Sequence, residues 1–463
     1  MYTADEATAW QLHADLAVVG GSGGGLLAAI AAARQGCRVV LLERTKELGG
    51  SLARGRGMIP AAGTRFQHDA GIQDGPEAFA GDILAQNPHA GDREHVLALC
   101  RAAAELVEWL VDSAIARLVF VPTLVARRHV APRMHGHALG TGLDLTADLV
   151  RAATRNPHVT VRTASVVEDL WADHNRSVVG IAAREKRGPI NISAGRVLLA
   201  CGGFAASDDL VREHQKDLSA IPYVGVPGAM GDGLRWGTEL GAASERLAAC
   251  CVTPFATTPG GLIVPDTLVR DGAIIVSQLG RRFVNEDSHP LDLAQAVLEQ
   301  PGRVAYLIFD ERIYRETRQS DPYFARLIVP RAVRRDSNPA DLARHFEIDA
   351  DDLIRTLNDF HTDIVRGQDP FGRSDGGQPF APPFYGVRIT GARVRTLGGL
   401  RITDTAQVIR ADGTPITNLY ASGGVVVDLA GVGSEEHSVG DHALTSLVWG
   451  WVAGHSCRPP ETA

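Results

Sequence analysis

Six small residues, Gly20-Gly21-Ser22-Gly23-Gly24-Gly25, lie inside the stretch Asp15 to Arg44, and their type and spacing imply chemistry. Glycines let a backbone turn tightly and come against a pyrophosphate, whose charge is stabilised by free amides and the positive end of a following helix. Reading G-x-G-x-x-G from Gly20 puts Ser22 in the middle position and Gly25 in the third; reading from Gly21 supplies Gly23 but places Leu26 last. The first register keeps the preceding apolar run and the spacing to Glu43 intact, so Gly20, Ser22 and Gly25 are the expected phosphate contacts. Glu43 follows by roughly twenty residues, where a carboxylate at the end of a second strand accepts hydrogen bonds from an adenosine ribose.

Other polar groups are candidates for acid–base or anchoring work. Arg133, His135 and His137 share Ala131 to Gly142, which reads as a loop, and loops on a scaffold often carry function. Two histidines two apart have no third ligand nearby, so no metal centre is expected. Cys201 could be a redox thiol, but with no base or partner cysteine close in sequence it reads as a buried filler. Glu435, Glu436 and His437 set a carboxylate pair beside a histidine, where burial decides the direction of any pKa shift.

Regular elements must position these groups. Leu16 to Val19 reads as a strand, Leu26 to Arg34 as an alanine-rich helix stopped by Gly36, and Arg38 to Leu42 as a second buried strand. Pro76 to Leu84 and Asp92 to Leu110 have helical periodicity, as does Leu143 to Thr154, and Val159 to Val167 reads as one strand. Ser177 to Ala183 and Ile190 to Ala194 look like a hairpin pair, and Arg196 to Phe204 returns the chain to the first sheet. Asp232 opens a helix after a glycine loop. From about Cys250 prolines, charges and short strands dominate, as in an inserted domain, and the segment after Gly398 returns a third time.

The chain has 463 residues, enough for two or three domains, with 45% hydrophobic and 22% charged residues. A net charge of −8 leaves no basic footprint, which argues against nucleic-acid binding. Six cysteines without a C-x-x-C pair indicate reduced thiols and a cytoplasmic setting. No basic and apolar leader is evident, and no apolar run reaches the length of a membrane span.

The ordered set LGGS, LLACGGF, GDGLRWGTELGA, LGRRFVNEDS, TLGGLRI, NLYASGG and TSLVWGWVAG, after the glycine-rich unit, resembles the flavoprotein family of fumarate reductases and 3-ketosteroid dehydrogenases. The resemblance covers nearly the whole chain. It implies an α/β fold: a Rossmann-like FAD-binding domain (residues 1–245 and 386–463) interrupted by an inserted α+β capping domain (246–385) that contributes the substrate side. It also implies an FAD-dependent oxidoreductase acting on CH–CH bonds. Such an enzyme desaturates a C–C bond next to a carbonyl of a cyclic or steroid-like ketone, or in reverse reduces an enoate or enone. A non-catalytic FAD-stabilised subunit is the reading from a different class.

By resemblance, Gly49, Gly50, Ser51 and Gly57 line the ribityl and flavin, Val166 meets the adenine, and Gly202, Gly423, Arg44 and Asp232 belong to the nucleotide surroundings. Ser446 and Leu447, expected at the N-terminus of the closing helix, face the flavin pyrimidine. No histidine stands where succinate dehydrogenases attach the ring, so noncovalent FAD is expected. The family's catalytic arginines, histidines and tyrosines are replaced here, among others by Thr253, Pro290, Arg395 and His437, and its glutamate partner corresponds to Asp266. Acid–base work is therefore expected from Glu435, Glu436 and His437, with His289, His135 and Arg133 next. Arg395 could bind a substrate carbonyl or carboxylate, or form a structural ion pair. An external electron acceptor or donor is implied as a partner.

Overall fold

The computed structural model describes residues 1–5, 8–87, 92–125, 129–374, 377–429 and 441–459. Strand β1 (Leu12–Val19), helix α1 (Gly23–Arg34) and strand β2 (Val39–Leu42) form the expected β-α-β unit. β1 and β2 are parallel, with Leu16 opposite Val39 and Val19 opposite Leu42. Residues 14–19 are buried without alternation, as a strand covered on both faces requires. α1 is buried from Gly23 to Ala33, which explains why its sequence is almost entirely glycine, alanine and leucine.

A short helix, α2 (Gly50–Ala53), follows β2. The long scaffold helix α3 (Arg93–Asp112) is capped by the Asp92 carboxylate, which accepts from the Glu94 amide. The run Val159 to Val167 is two strands, β3 (Val159–Arg162) and β4 (Val166–Ala172), because Ala164 takes a left-handed φ of 53° and turns the chain. β5 (Val178–Glu185) and β6 (Gly188–Leu199) make the antiparallel hairpin, and β6 continues past it. Its second half lies parallel to β1, with Leu199 opposite Val19. After α4 (Asp232–Glu239) the chain leaves this sheet.

A second, five-stranded antiparallel sheet is built from β7 (Cys250–Thr257), β8 (Ile274–Val276), β9 (Ala305–Asp310) and β10 (Phe384–Thr396), with Arg334–Asp336 also on β10. Helix α5 (Pro290–Glu299) packs on β7 and β10. This unit has its own core of Phe255, Leu268, Phe309, Phe324 and Tyr385. The chain then returns through β11 (Gln407–Ile409) and β12 (Pro415–Ala421), and β12 lies parallel to β6. The main sheet thus has nine strands, ordered Tyr2–Thr3, β4, β5, β6, β1, β2, β3, with β12 beside the end of β6 and β11 beside β12. The closing helix, α6 (Asp441–His455), packs on α1. Their backbones come so close that a Cβ on Gly450 or Gly454 would collide with Gly24 or Ala28.

One expected loop is a strand. Met134–His137 pairs antiparallel with Leu118–Phe120 on one side and Ile59–Pro60 on the other, and all four of its residues are buried. Arg133, His135 and His137 are therefore packed groups of a small three-stranded sheet rather than a displayed loop.

Candidate flavin and substrate site

A cavity of about 510 Å³ lies between the ends of β1 and β6, the start of α6, and the face of the second sheet. That volume is in the range of ligand sites. Of the residues expected around the nucleotide, Gly20, Ser22, Glu43 and Arg44 line it. So do Gly50, Ser51, Gly57, Gly202, Gly423, Ser446 and Leu447. Gly25, Gly49, Val166 and Asp232 do not.

The local backbone shows why these residues are small. Gly20 has φ 107°, and a Cβ there would collide with the Ala200 carbonyl, so the turn after β1 needs glycine. Gly25 has its place behind the turn: its Cβ would collide with the Gly20 carbonyl, and its absence lets α1 start immediately. Ser22 caps α1 by accepting from the Gly25 amide at 3.3 Å. Gly49, at φ 113°, donates its amide to Gly21 O at 2.7 Å and so ties the second glycine turn to the first.

Glu43 is fixed by backbone. Its Oε2 accepts from the Gly21 amide at 2.8 Å, and its Oε1 accepts from both the Thr45 amide at 2.8 Å and the Thr45 hydroxyl at 2.9 Å, which leaves an acceptor position on Oε2 for a ribose hydroxyl. Arg44 pairs with Asp232 at the first turn of α4, so Asp232 acts on the cavity through Arg44. Ser165 and Val167 line the wall around Val166, whose own side chain is exposed.

These residues fit FAD. The glycine turn and the α1 N-terminus suit a pyrophosphate. The Trp236 indole N–H, on the cavity wall, is buried with no hydrogen-bond partner among the described residues. Buried donors left unmet are costly, and a bound polar molecule would remove that cost.

Beyond the nucleotide end, Val252, Phe255, Ile263, Val264 and Tyr323 of the second unit supply an apolar wall, joined by Leu124 and Val125. Cations interrupt it: Arg54, Arg56, Arg270 and Arg395, with Asp266 and Asp321 among them. Arg395 forms an ion pair with Asp428, which is 3% exposed. His442, in the first turn of α6, places Nδ1 3.5 Å from Asp428 Oδ2. Burial, aided by the Arg395 cation, pushes the His442 pKa down against the attraction of Asp428.

His289 stands just outside the cavity and caps α5, its Nδ1 accepting from the Leu291 amide at 3.1 Å, while the next residue, Pro290, lines the wall. His135 lies away from the cavity between Phe66 and Phe120, with Nε2 3.0 Å from Thr64 Oγ1 and Nδ1 2.9 Å from Arg133 O. Burial lowers its pKa to about 4, so the ring is neutral. Arg133 is fully buried and holds Asp74 through two hydrogen bonds and Asp82 through one. These two residues therefore have structural work to do. Glu435, Glu436 and His437 lie outside the described residues. Cys201 lines the cavity, and its thiol is pushed up to about 12 by burial and by Asp232. Among the described residues no group of three or more His, Cys, Asp or Glu is arranged to hold a metal ion.

Groups at the site that were not singled out from sequence include Arg56 and its neighbour Arg54, Asp321, Tyr323 and His442. Two arginines set among glycines, in Arg54-Gly55-Arg56-Gly57, were the available signal for the first. Asp321 and Tyr323 come from the second unit, and nothing local marks them.

The family profile described as FAD binding domain matches residues 15–434. The chain is 29% identical over 450 residues to the NADH:fumarate oxidoreductase of Klebsiella pneumoniae (strain 342), which covers 95% of this chain and 47% of that protein. It therefore spans about half the length of that relative. Among solved structures, the open conformation of a flavocytochrome c3 fumarate reductase superposes with a TM-score of 0.86 at 26% identity, over 96% of this chain and 78% of the other. The 3-ketosteroid-Δ4-(5α)-dehydrogenase of Rhodococcus jostii RHA1 superposes with a TM-score of 0.70 at 26% identity, over 98% and 99%.

Proposed function

The chain belongs to the FAD binding domain family, and from that premise we propose that it desaturates a carbon–carbon bond next to a carbonyl, on a substrate with an apolar body. It is an FAD-dependent oxidoreductase. One observation carries the finer reading: the cavity wall beyond the nucleotide is apolar at Phe255, Ile263, Val264 and Tyr323 and cationic at Arg56, Arg270 and Arg395. Such a wall suits a ring-like body with an oxygen at one end.

FAD, when bound, supplies the two-electron acceptor. The Gly20 turn and the α1 N-terminus hold its pyrophosphate, and the first turns of α6 set amides and a positive helix end against the ring, where negative charge is favoured. The apolar wall excludes water from the reacting carbons. A base must take the proton beside the carbonyl. We assign it to the segment ahead of α6 or its first turn: Glu435, Glu436 or His437, or else His442, which burial keeps neutral and competent to accept a proton.

Residues 246–385 act as the cap that brings this wall to the flavin. FAD is held noncovalently, since the one histidine on the described cavity wall, His442, faces Asp428. Electrons leave to an external acceptor. All six cysteines are free thiols, which supports a reducing, cytoplasmic setting, and among the described residues no helix is long and apolar enough to cross a membrane.

The reverse reaction, reduction of an enoate or enone, is the second reading, supported by the arginines and by the 29% identity to an NADH:fumarate oxidoreductase. Anaerobic titration of the oxidised protein with saturated cyclic ketones tests the first reading. Bleaching of the flavin band is expected. If no ketone bleaches it and unsaturated acids reoxidise dithionite-reduced protein instead, the second reading replaces it.

A further inference from the structure

The four arginines on the cavity wall differ in what already holds them. Arg395 is committed to its ion pair with Asp428 and takes part in a further interaction. Arg54 is exposed and donates Nη2 to Val224 O at 3.1 Å. Arg270 is exposed at the rim, beside Asp271. Arg56 is unlike the others. It follows α2 in the glycine-rich turn of the nucleotide side, and its Nε donates to Asp321 Oδ2 of the capping unit at 2.7 Å. Its guanidinium carbon lies 5.9 Å from the centre of the Tyr323 ring, which is 3% exposed. Both Nη groups make no hydrogen bond among the described residues, and a quarter of the side-chain surface remains accessible, on the cavity side.

We propose that Arg56 is the catalytic residue that binds the substrate's carbonyl or carboxylate oxygen through its Nη groups, with Asp321 and Tyr323 as its positioning residues. The inference rests on the C–C bond reading above and assigns its oxygen-binding group. The chemistry favours it in three ways. The guanidinium is a planar fork whose two Nη groups can meet an oxygen together while Nε is engaged elsewhere. Burial works against its charge, but Asp321, aided by Asp266, outweighs that, so the cation persists on the cavity wall. As a proton leaves the carbon beside a carbonyl, charge moves onto the oxygen, and a fixed cation there stabilises the transition state more than the ground state. Because Asp321 and Tyr323 belong to the capping unit and Arg56 to the nucleotide side, the oxygen-binding group is set only when both units meet.

The test compares wild type, Arg56→Gln, Arg56→Lys and Asp321→Asn. Oxidised protein is titrated with malonate, a saturated unreactive dicarboxylate, and the shift of the flavin spectrum is followed. Turnover is measured with the best ketone, enone or unsaturated acid of the wild-type protein. For Arg56→Gln, a malonate Kd at least tenfold higher and kcat/KM lower by about 100-fold are expected with FAD content unchanged. Lys should recover the Kd but not kcat, since an ammonium keeps the charge without the fork. Asp321→Asn should lower kcat with little change in malonate Kd. Wild-type values in Arg56→Gln for both Kd and kcat/KM would overturn the assignment and leave the C–C bond reading standing. If the wild type shows neither turnover nor a malonate response, that reading falls and the assignment with it. Should Arg56→Gln fail to retain FAD, Asp321→Asn decides: unchanged kcat would overturn the proposal.

Discussion

Replacing Gly24 by alanine puts a methyl group where the first turn of α1 meets α6. The new Cβ would lie well inside 3.0 Å of the Ser446 carbonyl oxygen, 2.8 Å from Ser422 Oγ and 3.0 Å from Ser446 Oγ. To reach an ordinary 3.4 Å contact the two helices must part by about 1 Å, a shift that packed interiors resist. Sliding is blocked as well, because Gly450 and Gly454 hold the same two helices backbone to backbone. Overpacking of this kind costs about 2 to 3 kcal/mol. Ser22 at the start of α1 and Ser446 and Leu447 of α6 all line the cavity, so the cost falls on the holo geometry. If all of it appears in cofactor binding, the FAD Kd rises about 30- to 150-fold. The assay is quenching of flavin fluorescence on titration into apo-protein, with circular dichroism as the check on folding. Gly81→Ala is the control: it lies in the helix Pro76–Gln86 with nothing within 4 Å of its Cβ, and should leave the FAD Kd unchanged. A Gly24→Ala Kd within threefold of wild type, on a folded protein, would refute the packing argument.

Arg133→Met should lower stability by about 3 to 5 kcal/mol, read as a fall in the urea midpoint, because it strands Asp74 and Asp82 without their buried cation. Burial lowers the His135 and His129 pKa values to about 4, so between pH 6.5 and 4 the unfolded chain binds more protons than the native one. Stability should therefore drop by up to about 3 kcal/mol for each as pH falls through that window, and a flat profile of urea midpoints would contradict it. Cys201, held near 12 by burial, should stay unalkylated by iodoacetamide at pH 7.5 in the native protein and react once it is denatured. Acid precipitation should release the flavin into a yellow supernatant; colour retained in the pellet would show a covalent bond.

What the sequence disclosed was local. The left-handed turn at Gly20 and the carboxylate at Glu43, held by the Gly21 and Thr45 amides, are set by nearby backbone, so their spacing is written in the chain; that Ser22 caps α1 and that Ala200 crowds Gly20 was not. The same holds for α3 and for the β5–β6 hairpin. The loop read at Ala131 to Gly142 misled because its strand has short, far-apart partners, Ile59–Pro60 and Leu118–Phe120, and four consecutive buried residues show no alternation. His135 and Arg133 look reactive as letters, but buried partners account for them. The apolar and cationic part of the cavity was hardest to read because it is assembled from segments far apart in the chain. Arg56 needs Asp321, 265 positions away, and Arg395 needs Asp428 before either can be given a role.

The placement of β12 and α6 has a consequence for how the protein comes into being. β6 lies between β1 and β12 at its far end, and the cavity is closed by Ser446 and Leu447, yet the whole second sheet is encoded between. A ribosome adding about 5–20 residues per second needs roughly 20–80 seconds to travel from Glu43 to Ser446. Throughout that time the nascent chain carries a glycine turn with nothing to close on, and once β6 has been made it also carries an apolar strand edge awaiting β12. FAD can be captured only after that interval, so its supply and any chaperone guarding that edge govern how much of the newly made chain matures rather than aggregates.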